Sequence, residues 1–243
     1  MHHVVLERWS RGASVLHRRD PRAKIAALLV FLVVLATAQR ALPALSAALL
    51  VLLASVILWA RLPLGAAVAR SALVLPFTLV FGAVCWLAGD PARGVALVLK
   101  SYLSTLAVLV VIATTPLPVF LRGLEMTGAP RFLLMVAQFL YRYLFVISDE
   151  AQQMRKAAAA RGASARSMAG CSARFRAAAG ALAVLFARSY GRAGEIHRAM
   201  LARGFSGSFQ PLNTLRFRAE DAVFAAAASI TPLLVRVAIE RMF

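Results

Sequence analysis

The residues best suited to a specific contact are two arginines, each at the end of the same short pattern. Ala160-Arg161-Gly162 and Ala202-Arg203-Gly204 repeat one tripeptide, and the agreement continues upstream, Ala157 with Ala199 and Met154 with Ile196. Both copies read apolar-x-x-Ala-x-x-Ala-Arg-Gly. Apolar and small residues at steps of three recur near one helix face, and glycine is favoured just past a helix end. Each copy therefore predicts a helix with a small-residue stripe and one arginine at its C-terminal tip. The chemistry on offer is ion pairing. A guanidinium is permanently charged, and its rigid fork of donors grips a carboxylate through two hydrogen bonds. The alanines let a partner surface come close, and the glycine lets the chain turn away without a side-chain clash. Two copies imply two equivalent contacts.

Few other residues offer chemistry. His2-His3 has no third ligand nearby, and two ligands leave coordination geometry undefined, so no metal site is expected. Asp149 and Glu150 are adjacent and face different directions on a helix, so they do not form a catalytic carboxylate pair; Arg142, Arg155 or Lys156 are their expected partners. His197 reads as one residue of a helix surface. No GxxxxGK[ST] loop is present, so ATP is not bound by that route. Cys85 and Cys171 give neither a disulfide framework nor zinc spacing. No catalytic residue and no cofactor are expected in this chain.

The elements that position the two arginines belong to a membrane protein. Apolar residues make up 61% of the 243, charged residues only 16%, yet the formal net charge is +18; mean hydropathy is +0.75. A soluble domain is roughly half apolar and about a quarter charged. The numbers are compatible because the charge is segregated from the apolar runs. Spans of roughly 20 residues are expected over 25–38 with its flanks, 42–60, 68–88 and 95–113, and a fifth over 222–239. Pro43 opens the second where a missing N–H costs nothing. Pro76 predicts a kink in the third, which carries Arg70 at its edge. Lys100 lies about a turn inside the fourth and can snorkel to the interface. Pro232 and Arg236 make the fifth the least regular. The apolar patches 132–139 and 177–186 are expected to lie on the membrane surface or pack within a helical domain.

Charge placement predicts orientation. Arg8, Arg11, Arg18, Arg19, Arg22 and Lys24 precede the first span, and Arg61 and Arg70 flank another turn; the turns at Arg40 and Arg93 carry one each, the second offset by Asp90. Segment 116–218 holds 15 Lys/Arg against 4 Asp/Glu, a net of +11. The positive-inside bias then places the N-terminus, the Arg61 loop and that segment in the cytoplasm. A basic segment of some 24 residues precedes the first apolar run, so no cleavable signal peptide is expected. The basic face suits acidic grooves on soluble partners or anionic lipid heads. It lacks interleaved aromatics for base stacking, so nucleic acid is not an expected partner. The expected organisation is all-α: 1–115 as N-terminal tail with four transmembrane helices, 116–218 as a helical cytosolic domain with both Ala-Arg-Gly motifs, and 219–243 as a last transmembrane helix.

The approach to the first span has its own signature. Asp20-Pro21-Arg22 follows the order N-cap, first and second helical residue, with an acceptor for free helix N–H groups and a preset φ. The run Leu16-His17-Arg18-Arg19-Asp20-Pro21-Arg22-Ala23-Lys24 resembles the leucine-histidine-x-x-aspartate-proline-arginine-x-lysine start of the transmembrane T component of energy-coupling factor transporters. Glu7-Arg8-Trp9-Ser10, Thr114-Thr115-Pro116 and the tract from Tyr141-Arg142-Tyr143 to Glu150 are similar to its cobalt/nickel (CbiQ-type) branch. The Ala-Arg-Gly copies match the family's pair of coupling-helix signatures. The resemblance covers about residues 6 to 215 in preserved order, and departs from the branch at Val15, where proline is frequent.

The resemblance implies a non-catalytic, multi-pass scaffold in a prokaryotic inner (plasma) membrane, with a cytoplasmic N-terminus. Its partners would be two cytosolic ABC-type ATPases, which bind the ATP and Mg, a membrane subunit that captures cobalt or nickel, and a small accessory membrane subunit. Arg161 and Arg203, with their neighbours Ala160, Gly162, Ala202 and Gly204, would each meet one ATPase; His17, Asp20, Pro21 and Arg22 belong to the N-terminal motif. Within the same class, a T component serving biotin or other vitamins is the alternative. A polytopic enzyme handling lipid-linked intermediates is a remoter one, and would need carboxylate or histidine clusters that the spans lack.

Overall fold

The computed structural model describes residues 9–10, 12, 14–38, 42–162, 171–207 and 217–242, and every regular element among them is helical. Helix α1 (Pro21–Thr37) begins as expected: Asp20 Oδ1 accepts the Arg22 N–H at 2.9 Å, and proline takes the first position. An aspartate cap of this kind contributes about 1 kcal/mol. Helix α2 (Leu42–Trp59) follows, then α3 (Leu64–Ser71), a 3-10 turn (Ala72–Val74) and α4 (Leu75–Leu87). The kink expected at Pro76 is thus a tightened turn just upstream. Proline cannot donate to a preceding carbonyl and clashes with it, so the helix restarts with Pro76 in its first turn. Asp90 caps α5 (Pro91–Ala113) and pairs with Arg93 at 2.9 Å. Helices α6 (Leu117–Met126), α7 (Arg131–Ala160), α8 (Cys171–Ala202) and α9 (Ala219–Met242) complete the order.

The chain divides into two compact units, 1–128 with 214–243, and 129–213. In the first, α1 and α5 are central; α1 packs against α5, α6 and α9, and α5 also against α2, α3 and α4. Leu45, Leu49, Leu53 and Ile57 recur every four residues of α2 and are buried together with Phe31, Leu35, Leu103, Leu106 and Val110. The opposite faces are as apolar as the core: Leu87 is 86% and Leu73 78% exposed. Apolar side chains directed outward all round are what a bilayer accepts and water does not. Among the described residues, five helical stretches are long and apolar enough to cross a membrane: Leu42–Trp59, Leu64–Leu87, Pro91–Ala113, Arg131–Ala160 and Ala219–Met242. The protein is therefore an all-α polytopic membrane protein. The set differs from the expected one at two places. Helix α1 has 17 residues, at the short limit for a span, whereas the 132–139 patch is part of a 30-residue helix.

Two charges inside apolar helices find a common purpose. Lys100 Nζ donates to the carbonyls of Ala36 and Ala38 at 3.1 and 2.6 Å. Arg236 donates to the Thr37 carbonyl at 3.3 Å and to the Thr37 hydroxyl, while also pairing with Glu240 at 2.9 Å. The last carbonyls of α1 have no partner within the helix and carry its negative dipole end, so two cations from α5 and α9 complete it. Lys100 thus directs its ammonium to the end of a neighbouring helix. These contacts also set direction. At its other end α1 meets Thr114 of α5 and Asp221 of α9, so α5 runs antiparallel and α9 parallel to α1.

Helices α4 and α5 approach through glycine. A Cβ built on Gly94 would lie 2.7 Å from the Gly82 carbonyl oxygen, a backbone atom that cannot swing aside. Gly94→Ala is expected to cost about 1–3 kcal/mol by overpacking. Gly180→Ala on α8, where an added Cβ meets nothing within 4 Å, is expected to be neutral or stabilising through helix propensity. Thermal melts of the full chain in detergent compare the two; equal shifts would show that this close approach is unimportant.

Candidate functional site

Two groups of residues singled out by the sequence become distinct places, one in each unit. In the first unit the N-terminal motif is a buried polar junction. The His17 ring accepts from or donates to Ser14 Oγ at 2.6 Å through Nδ1, and its Nε2 lies 2.9 Å from the Trp9 carbonyl. A carbonyl only accepts, so Nε2 donates to it, and the Ser14 hydroxyl can serve Nδ1 in either role. Gly12 leaves room for the ring, since a Cβ there would sit 2.7 Å from Nε2. The Arg70 guanidinium lies over the Trp9 ring, 4.0 Å from its centroid, which ties α3 to the same segment by a cation–π contact. His17 is thereby a structural residue of the turn before α1.

Lys24 is the centre of the junction. It is 3% exposed, and its ammonium donates to the Thr114 carbonyl at 2.9 Å and Thr115 Oγ1 at 3.0 Å. Thr114 and Thr115 are themselves buried at the C-terminal end of α5. The carboxylates of Asp20 and Asp221 both offset the Lys24 charge. Asp221 also performs a double capping. One oxygen accepts the Arg218 N–H at 3.2 Å and so caps its own helix, α9; the other accepts the Asp20 N–H at 3.2 Å. In a capping box the third helical residue supplies that second bond. In α1 this residue is Ala23, which cannot, and a carboxylate from α9 takes its place. Arg19 reinforces the link, donating to Glu220 Oε2 at 2.8 Å. Pro21 packs on α6, where a Cβ on Gly123 would meet it at 2.9 Å, and Arg22 donates to the Met126 sulfur.

Sequence reasoning linked His17, Asp20, Pro21 and Arg22 but missed Asp221 and Glu220. Two acids in the first turn of the last helix were the available signal.

In the second unit the two arginines stand where expected. Helix α7 ends at Ala160, with Arg161 as its C-cap, and α8 ends at Ala202, just before Arg203; both arginines are exposed. Gly162 and Gly204 have φ of 78° and 77°, the left-handed conformation that terminates a helix at low cost only in glycine. Met154 and Ile196 are both half-buried, so the two copies agree in burial as well as in sequence. Helices α7 and α8 run antiparallel: Arg142 and Arg203 line one groove, while Glu150 meets Arg188 and Arg192. The tips therefore lie at opposite ends of the pair, separated by about 28 Å of α7 axis from Arg142 to Arg161 at the helical rise.

Glu150 departs from the expected pairing. It accepts from Arg188 at 2.9 Å and Arg192 at 3.0 Å, both on the other helix. None of Arg142, Arg155 and Lys156 stands three or four residues from it, the spacing that brings side chains together on one helix. The result is a brace that holds α7 against α8.

Among the described residues no three of His, Cys, Asp and Glu gather as metal ligands. His2 and His3, and Glu7-Arg8, lie outside the described residues, as do the side chains of Cys171 and Arg174. The sequence pattern of the CbiQ family, described as cobalt transport protein, matches residues 12–213. That range includes His17 to Lys24, Thr114-Thr115 and both Ala-Arg-Gly tips, and ends before Asp221. No curated protein matches the chain.

Proposed function

The chain belongs to the CbiQ cobalt transport protein family, and from that premise we propose that it is the transmembrane T component of an energy-coupling factor transporter for cobalt. In this reading it carries no substrate site. It joins a membrane subunit that captures the ion to two cytosolic ABC-type ATPases that hydrolyse ATP. The observation that carries the reading is the pair of equivalent helix tips, each an exposed arginine before a left-handed glycine, placed at opposite ends of a braced helix pair. One soluble subunit could not easily hold two like sites so far apart; two related subunits each hold one.

The mechanism follows from stiffness. An arginine fork clamped on an acidic groove transmits both push and pull, because bidentate pairing resists rotation. Helix α7 passes that force along its length, and the Glu150 brace obliges α8 to follow. Within the first unit, the junction at Lys24 and Asp221 holds the ends of α1, α5 and α9 in register.

The T-component reading is tested by purification. The full chain in detergent is expected to show no ATPase activity alone and to co-purify with two ATPase subunits. Stoichiometric cobalt binding by the isolated chain, lost on removing His2 and His3, would refute the absence of a substrate site. Orientation is tested separately. Reporters fused after Ala41 or at Asp90 are expected outside the cell, and one after Gly162 in the cytoplasm; an external Gly162 would end the coupling assignment.

A further inference from the structure

We propose that the groove between α7 and the end of α8 binds an anionic phospholipid, its phosphate held by Arg142 and Arg203 and an acyl chain laid along the apolar wall. The groove encloses about 650 Å³, lined by Phe139, Arg142 and Tyr143 of α7 and by Ile196, Met200 and Arg203 at the end of α8. That volume falls within the range of small-molecule sites. Its wall and its charges are segregated. Phe139, Tyr143, Ile196 and Met200 are half-buried, with the Phe139 and Tyr143 rings stacked 6.2 Å apart, whereas Arg142 and Arg203 are exposed. Among the described residues no carboxylate lines the groove, and Glu150, further along α7, is already engaged by Arg188 and Arg192. The two guanidinium groups are thus not neutralised from within the groove.

An occupant must be negative at one end and apolar at the other. A soluble anion would leave the aromatic wall wet, and a neutral lipid would leave the arginines without a counter-charge. Position points the same way. The α7 side of the groove lies in the apolar half of a helix long enough to enter a membrane, and Tyr141-Arg142-Tyr143 are the residue types that settle at headgroup level. The site goes beyond the T-component reading and shares Arg203 and Gly204 of one tip with it. Arg142 is outside both Ala-Arg-Gly tips, so it carries the test, and failure there leaves the coupling assignment standing.

The experiment is native mass spectrometry of the full-length chain in detergent, offered phosphatidylglycerol, phosphatidylcholine or glycerol 3-phosphate at equal concentration. One phosphatidylglycerol is expected to be retained in preference to phosphatidylcholine. Arg142→Gln is expected to lower its retention roughly tenfold, the loss of one charge-assisted contact. Arg142→Lys should keep part of it, and Arg155→Gln, on the exposed surface of the same helix outside the groove, all of it. Equal retention of phosphatidylcholine, or equal losses for Arg142→Gln and Arg155→Gln, would overturn the proposal. Displacement by glycerol 3-phosphate as effective as by the lipid would make this a soluble-anion site instead. Loss of ATPase co-purification in Arg142→Gln with unchanged lipid retention would assign the groove to a protein.

Discussion

The Arg161→Ala/Arg203→Ala double variant is expected to insert normally and to transport no cobalt. In the proposed coupling role, each substitution removes a guanidinium from a contact whose partner carboxylate is then left without its counter-charge, a change that costs roughly 2–5 kcal/mol. Taken at about 3 kcal/mol, one loss weakens ATPase association on the order of 100-fold, and two contacts on separate subunits compound. Each single variant should therefore reduce ATPase co-purification or uncouple hydrolysis from uptake, and the double should abolish both. Insertion is spared because both arginines are exposed and lie past the last helical residue. Neither substitution alters the glycine that ends the helix. Lysine is expected to rescue only in part, since it keeps the charge and loses the fork. Arg176→Ala, exposed on α8 but outside either repeat, is the control. Equal losses at Arg176 would mean that bulk charge matters and the repeated motif does not. Normal uptake by the double variant would reject the coupling role.

Asp221→Ala is expected to be the most destabilising single change in the polar junction. It strands two backbone N–H groups, those of Asp20 and Arg218, and removes one of the two charges that offset Lys24. Asp221 is 6% exposed and Lys24 3%, so water cannot replace what is lost. Breaking a buried charged group's partnership costs about 3–5 kcal/mol, which for a chain of this size lowers the melting temperature by on the order of 10 °C. Asp221→Asn, which keeps one acceptor oxygen, should lose less. Glu220→Ala tests the neighbouring pair: its carboxylate is 71% exposed, and a solvated ion pair contributes about 0–1 kcal/mol. Thermal melts of the full chain would contradict this assignment if Asp221→Ala and Glu220→Ala shifted equally. Stability comparable to the unsubstituted chain in Asp221→Ala would show that the junction does not hold α9 to α1.

What could be read in the chain alone was whatever depends on near neighbours. The cap at Asp20 was legible because an aspartate before a proline serves N–H groups two or three residues away; Asp90, read only as a counter-charge to Arg93, proved to cap its helix by the same local rule. The helix ends at Arg161 and Arg203 were legible because the left-handed turn is a property of Gly162 and Gly204 themselves. Apolar runs marked most of the membrane helices, since bilayer insertion is set by composition over a length. The CbiQ-type resemblance rested on such local strings too, and the match over residues 12–213 upheld it.

Contacts across long sequence separations were decided by the tertiary structure. The bond from Asp20 to Asp221 spans 201 positions and that from Lys24 to Thr114 spans 90; no periodicity specifies them. Arg236 looked like an irregularity in its own helix and Lys100 like a residue bound for the interface; that both reach the unsatisfied carbonyls of α1 was visible only in the fold. Glu150 had no partner at helical spacing, so its charge was met from α8. The groove beside Arg142 has the same origin, because its two guanidinium groups are 61 positions apart in the chain and share a surface only through the antiparallel course of α7 and α8. Local chemistry dictated where each helix begins and ends; packing decided which polar group each buried charge would meet, because a charge withdrawn from water must take the partner that the fold brings within reach.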